Sequence, residues 1–301
     1  MLEGPIGCAG GLVVVAPGTD RAATDDVDLF VASAAPVVAP DGEPMPALRA
    51  DGVVWRRHWI DGDRLVIDFV DLALVEVDRT RRTVTFDRAL APDLVEHLLF
   101  DHVLALVLAQ AGHLVLHGGI ISSSGRGVAL VGSSGAGKST LTAGAWLHGW
   151  DVGSDDGVVL SAHPATAEPT YATLRLTRDG ADLLGIDPST TTPVAGKLRL
   201  DGGPRPFTPA PVALAAVAVV EPSSAPEARF ERLRGIDAHA ELLGSTFHAD
   251  YSQDRRLPAV VAALGDVVEQ TAVGRLWVPR GRAGIDSAVA LLHSLLDGAD
   301  R

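Results

Sequence analysis

Apolar and β-branched residues come in short runs over the first third of the chain: Leu12 to Ala16, Val27 to Ala32, Val53 to Ile60, Leu65 to Val70, Leu74 to Val77 and Thr83 to Phe86. Turn formers separate them, with Asp61-Gly62-Asp63 between two runs and Arg79-Thr80-Arg81-Arg82 between the next two. That pattern predicts a meander of β-hairpins. Val37 to Gly52, carrying Pro40, Pro44 and Pro46, predicts a loop. After Pro92 the rhythm becomes helical: Leu94, Val95, Leu98, Leu99, His102, Val103, Leu106, Val107 and Ala109 line one face up to Gly112. One long helix is predicted there.

Beyond Gly112 the order is strand, glycine-rich turn and helix. His113 to Leu116, Gly127 to Val131, Trp150 to Ser154, Val158 to Ser161, Val212 to Val220 and Val273 to Val278 predict strands. Lys138 to His148, Ala238 to Thr246, Leu257 to Gln270 and Ile285 to Leu296 predict helices, and Glu221 to Ala228 a proline-rich surface loop. The fold class is therefore α/β for this half, preceded by a β-rich (α+β) N-terminal domain. The expected division is 1–91 for the β-rich domain, 92–111 for the connecting helix and 112–301 for the α/β domain.

Length and composition narrow the classes. With 301 residues, 47% hydrophobic and 21% charged, the chain has enough apolar material for two packed domains. The net charge of −13 argues against a nucleic-acid or anionic-membrane surface. Its longest apolar run, Val212 to Val220, falls far short of the roughly 20 residues a bilayer-spanning helix needs. Leu12 to Ala16 has no basic residue ahead of it and does not read as a signal peptide. The single cysteine, Cys8, excludes an intramolecular disulfide and fits a reducing compartment, so the cytoplasm is expected. Lysine occurs only at Lys138 and Lys197; every other cationic side chain of the Lys/Arg type is arginine.

One of those lysines sits in a motif. Gly132, Ser133, Ser134, Gly135, Ala136, Gly137, Lys138 and Ser139 match G-x-x-x-x-G-K-[ST], after an apolar strand and before a helix. A triphosphate needs several backbone N–H groups converging on its oxygens, which a glycine-rich turn and a helix N-terminus provide. Lys138 is then expected to reach the β- and γ-phosphates of ATP, and Ser139 to ligate Mg²⁺, with Thr140 completing the nucleotide-binding stretch.

Such a site needs a carboxylate for the metal and, in a kinase, a group to take the acceptor's proton. Asp155-Asp156 follows the strand after the phosphate-loop helix, where a metal-ligating acid belongs. His117, followed by Gly118 and Gly119 at the end of an apolar run, is a third candidate. Lys197 opens a strand-like segment after Thr190-Thr191-Thr192-Pro193, and its compact ammonium suits a point contact to phosphate.

The run His117-Gly118, then Val131 to Ser139, then Asp155-Asp156 resembles the C-terminal catalytic domain of HPr serine kinase/phosphorylase. That wider kin shares a core with phosphoenolpyruvate carboxykinases and includes kinases encoded beside lasso-peptide biosynthesis genes. The resemblance covers Gly112 to Asp156 and continues more faintly through Leu174-Arg175-Leu176, Lys197 to Leu200 and Val212 to Val220. It implies a P-loop kinase domain in which Asp155 and Asp156 supply metal ligation and the base that activates a serine hydroxyl, with His117 close to the phosphates. Thr140 stands where HPr kinases commonly have Glu, and the first ninety or so residues do not resemble their N-terminal domain. The implied enzyme is thus a divergent kinase of the lasso-peptide type, acting on a peptide or protein hydroxyl.

Other owners of the phosphate loop fit less well. No LSGGQ-like signature of transport ATPases follows the loop, and neither lysine follows an Asn as a guanine-reading NKxD requires. A small-molecule hydroxyl kinase and a non-catalytic ATP-binding regulator stay open, as does assembly into a homo-oligomer.

Overall fold

The computed structural model describes residues 5–9, 12–15, 28–50, 53–162, 165–168, 174–200, 211–247 and 257–298. Ala16 and Val27, at the ends of two predicted runs, lie outside them. The protein is mixed α/β and divides into two compact units, residues 1–107 and 108–301. The division falls inside the predicted connecting helix.

The first unit carries β1 (Pro5–Ala9), β2 (Leu12–Val15), β3 (Asp28–Ala34), β4 (Met45–Ala50), β5 (Val53–Asp61), β6 (Arg64–Phe69), β7 (Ala73–Asp78) and β8 (Thr83–Phe86). They form one sheet in the order β1-β2-β3-β8-β7-β6-β5-β4. β5 to β8 are the predicted antiparallel meander, while β2–β3 and β3–β8 pair in parallel. β4 corrects the expected loop: of its described residues, 37–44 lack regular structure, Met45–Ala50 pairs antiparallel with β5, and Asp51 and Gly52 lie outside the described residues. The prolines at 44 and 46 are tolerated because β4 is at the sheet edge in that order. Strict alternation in β7, with Ala73, Val75 and Val77 buried, turns one sheet face to the core.

The predicted long helix is α1 (Pro92–Leu98), a π-helical turn (Leu99–Val103) and α2 (Leu104–Gln110), run together. Its apolar pairs, Leu94/Val95, Leu98/Leu99, His102/Val103 and Leu106/Val107, recur every four residues. A period of 3.6 would let that stripe drift by about 120° over three turns. The wider π turn takes up part of that surplus, and beyond it every residue from Val103 to Leu108 is buried.

The second unit adds β9 (Leu114–Leu116), β10 (Gly118–Ser123), β11 (Arg126–Val131), α3 (Lys138–Leu147), β12 (Asp151–Ser154), β13 (Val158–Ala162), β14 (Ala165–Glu168), β15 (Arg175–Leu176) and α4 (Arg178–Leu184). These are followed by β16 (Thr191–Val194), β17 (Lys197–Leu200), β18 (Val212–Ser223), β19 (Arg229–Arg232), α5 (Gly235–Gly244), α6 (Leu257–Gln270), β20 (Ala272–Pro279) and α7 (Arg282–Gly298). The main sheet runs β12-β10-β11-β18-β14-β13-β9, with β20 also on β18 and β19 on β20. β18 is parallel to both β11 and β20. Its run Ala215 to Val220 is buried throughout because both sheet faces are covered. Ala216, Ala218 and Val220 pack with Leu141 of α3 and Ile285, Ala288 and Leu292 of α7. Val217 and Val219 point the other way, to Ala238 and Leu242 of α5 and Leu264 and Val267 of α6. Each buried Val or Leu is worth about 1.5–3 kcal/mol, so this double burial fixes the central strands firmly. β15, β17 and β16 form a separate antiparallel sheet in that order.

Candidate functional site

β11 ends at Val131, and the chain then turns out of the sheet through Gly132 at φ 133°. That left-handed conformation suits glycine, and a Cβ there would stand 2.9 Å from the Val220 carbonyl oxygen of β18. Ala136 N–H donates to the Ser133 carbonyl at 3.2 Å, closing the loop, and α3 starts at Lys138 with Leu141 N–H on the Gly137 carbonyl at 2.9 Å. No side chain caps α3. Its first backbone donors therefore face the loop, where an anion gains from them and from the helix dipole. Ser133, Ser134 and Gly135 are exposed at the loop's crest.

Lys138 is 7% exposed. Its Nζ donates to the Gly132 carbonyl at 2.7 Å and to the Ser133 carbonyl at 3.0 Å. Burial holds its pKa below the usual lysine value, while the charges of Asp156 and Asp155 oppose that shift. The ammonium thus ties the loop together from beneath.

The acid pair reaches this place through two glycines. β10 lies antiparallel between β11 and β12. A Cβ on Gly118 would overlap the Leu130 carbonyl, and one on Gly119 would stand 2.7 Å from the Ser154 carbonyl oxygen and 3.3 Å from Asp155 Cα. The bare Gly118 lets β11 close on β10, and the bare Gly119 lets β12 close on its other side and deliver Asp155 and Asp156 beside His117. Its Nδ1 lies 3.1 Å from the Asp156 carbonyl oxygen. A carbonyl only accepts, so Nδ1 carries the proton and donates. The ring also meets Phe247 edge-on at 5.6 Å. Burial, then the Lys138 charge, holds His117 below the ordinary histidine pKa, against the pull of Asp156. Its neutral form is favoured.

Asp155 is 1% exposed. Burial first, then the Asp156 charge, pushes its pKa up to about 7, against Lys197, a hydrogen bond with the Ser139 side chain and the Arg175 N–H. Its Oδ2 accepts from that N–H at 3.4 Å. Its Oδ1 is buried with no hydrogen-bond partner among the described residues.

Arg175 was not among the residues expected from sequence. It is 5% exposed, and its Nη2 donates to Asp156 Oδ2 at 2.7 Å. β15 carries it, paired to β17 through Arg175↔Arg199 and Leu176↔Leu198. The next residue of β17 toward its start is Lys197, set off by a two-residue turn with Ala195 at φ 47° and Gly196 at φ 79°. The small sheet thereby brings Arg175 and Lys197 to the acid pair, and the Lys197 charge acts on Asp155, His117 and Lys138 together. Thr177 then caps α4, its Oγ1 accepting from Gly180 N–H at 3.1 Å. A Cβ on Gly180 would stand 3.0 Å from Thr140 Oγ1. Thr140 therefore packs under α4, on the helix that Ser139 and Lys138 begin.

His117, Lys138, Ser139, Asp155, Asp156 and Lys197 accordingly form one group, which Arg175 joins. The chemistry of that group fits a hard divalent cation: a buried carboxylate oxygen without a partner among the described residues, a second carboxylate and a hydroxyl, all oxygen donors. Compared with known proteins, the chain matches no family model and no curated protein. No helix among the described residues is long and apolar enough to cross a membrane.

Proposed function

We propose that the protein is an ATP-dependent kinase that transfers the γ-phosphoryl group to a hydroxyl, in the first instance a serine of a peptide or protein. The observation that supports this best is the placement of a buried carboxylate, Asp155, and its half-buried neighbour Asp156 beside a glycine-rich loop whose lysine is itself buried. A turn that bound phosphate passively would have no use for Asp155, whose burial is costly and whose Oδ1 lacks a partner among the described residues. The same organisation is what the resemblance to HPr kinases implies.

In this reading the loop N–H groups and the start of α3 take the β- and γ-phosphates. Lys138 exchanges the Gly132 and Ser133 carbonyls for phosphate oxygens. Ser139, Asp155 and Asp156 hold Mg²⁺, which supplies charge neutralisation at the triphosphate when bound. One carboxylate of the pair accepts the hydroxyl proton while the acceptor oxygen bonds to the γ-phosphorus. The bond from that phosphorus to the β–γ bridging oxygen breaks, and ADP leaves with its electron pair. Arg175 holds Asp156 in place. His117, neutral and donating from Nδ1 to the Asp156 carbonyl, fixes the backbone that carries the pair; it does not act as a cation.

Titration of MgATP into the wild-type protein and Lys138→Ala tests the nucleotide half of this reading. Loss of the ammonium is expected to weaken binding at least about tenfold, the worth of a charge-assisted contact. Wild-type affinity in the variant would remove the phosphate-loop assignment.

A further inference from the structure

His97, Asp101 and His102 lie on the helical run of the first unit, far in sequence from the phosphate loop, and no step proposed above uses them. In an α-helix residues five apart point about 140° away from one another, so His97 and His102 would diverge. The π-helical turn over Leu99–Val103 changes this, because its wider repeat aligns positions five apart. His97, Asp101 and His102 consequently each offer a ligand atom, all within 4.8 Å of one another. His97 Nδ1 and Asp101 Oδ2 are 2.7 Å apart, and Asp101 is 7% exposed.

The surroundings hold these groups in place. The His102 ring packs 5.0 Å from Trp55 and 5.6 Å from Phe69 of the sheet, and 5.4 Å from His97. Two imidazoles and one carboxylate from a single short stretch, in a largely apolar setting, are the donor set of late first-row divalent metals; hard cations such as Mg²⁺ avoid it.

We propose that His97, Asp101 and His102 form a binding site for a divalent transition metal of the zinc class within the N-terminal unit. The proposal is independent of the kinase reading. Donors at 2.0–2.2 Å in a tetrahedral set stand about 3.4 Å apart, so a pair at the 4.8 Å limit closes by about 1.4 Å and the 2.7 Å His97–Asp101 pair opens by about 0.7 Å, within reach of side-chain rotations. Three protein ligands leave a fourth position for solvent or another donor.

The test uses the full chain, stripped with chelator and titrated with Co²⁺, whose visible d–d absorption reports coordination by nitrogen and oxygen. The wild-type protein is expected to take up one Co²⁺ per chain with such a band, and Zn²⁺ is expected to displace it. Asp101→Asn, His97→Gln and His102→Phe, each checked for folding by circular dichroism, are expected to weaken uptake at least tenfold. His102→Phe matters most, since it keeps a ring between Trp55 and Phe69 while removing the nitrogens. Absence of the band in the wild-type protein, or equal uptake in all folded variants, would overturn the proposal and leave an ion pair beside a packed ring.

Discussion

Arg175 donates from Nη2 to Asp156 Oδ2 at 2.7 Å in a place where the arginine is 5% exposed. The guanidinium is buried, while the Asp156 carboxylate keeps 18% of its side chain exposed. The backbone of Arg175 adds a second link, since the N–H of the same residue faces Asp155. One strand residue thus addresses both acids, through side chain to one and backbone to the other, which separates their environments. Asp156 has a cation in contact, while Asp155 has an oxygen with no partner among the described residues.

Breaking that contact leaves Asp156 without its cation. Arg175→Met is expected to lower the phosphotransfer rate at least about tenfold, with Arg175→Lys recovering part of it, because a charge-assisted hydrogen bond is worth about 1.5–3 kcal/mol. An unchanged rate in the Met variant would reduce Arg175 to a structural residue.

The raised pKa of Asp155 ties stability to pH. With a folded value of about 7 and an unfolded one near 3.9, the folded chain binds more protons than the unfolded chain across that window. This group's stability contribution is present below about pH 4 and is lost as pH rises to about 7. Asp155→Asn removes the dependence. The Tm of the metal-free Asn variant should exceed that of the wild type at pH 8, and the gap should narrow toward pH 4. Parallel curves would contradict the burial of an ionisable Asp155.

Gly119→Ala tests how the acid pair is delivered. The added methyl meets the Ser154 carbonyl at 2.7 Å and forces β10 from β12. A loss of about 1–3 kcal/mol in urea unfolding is expected, as for overpacking elsewhere, with phosphotransfer falling further than MgATP binding. A variant of full stability and activity would show that the strands have room to spare.

Lys197→Ala removes a charge that lowers the pKa of Asp155 and acts on Lys138 and His117. The upper end of the pH window set by Asp155 should then move upward, and the rate should drop several-fold. An identical pH profile would mean that Lys197 serves only as a strand residue.

What was legible in the sequence follows from how local each signal is. The glycine-rich turn between β11 and α3 could be read because its glycines, Lys138 and Ser139 are consecutive and sit between an apolar strand and a helix. Val212 to Val220 was legible as a strand because both faces of β18 are covered. Arg175 was not, since its role depends on β15 pairing with β17 and on Asp156, which is remote in sequence. Its one signal is an arginine between two leucines that are fully buried. β4 was hidden by its prolines, and β10 by glycines whose lack of a side chain is what close packing demands. The long helix was legible from its apolar recurrence, but the π turn at Leu99–Val103 inside it was not, because the same recurrence was read at ordinary helical spacing.

The central claim is phosphoryl transfer, and the most direct measurement is the mass of an acceptor after incubation with the protein, ATP and Mg²⁺. Serine-containing peptides encoded beside the gene are the first acceptors to try, followed by proteins and small alcohols. A gain of about 80 Da, one phosphate, on a hydroxyl is expected. That gain should require Mg²⁺ and fall at least about a hundredfold in Asp155→Asn and in Asp156→Asn, counting the variants separately. Tight MgATP binding with no gain on any acceptor in the set would contradict the account and make the protein a nucleotide-binding regulator.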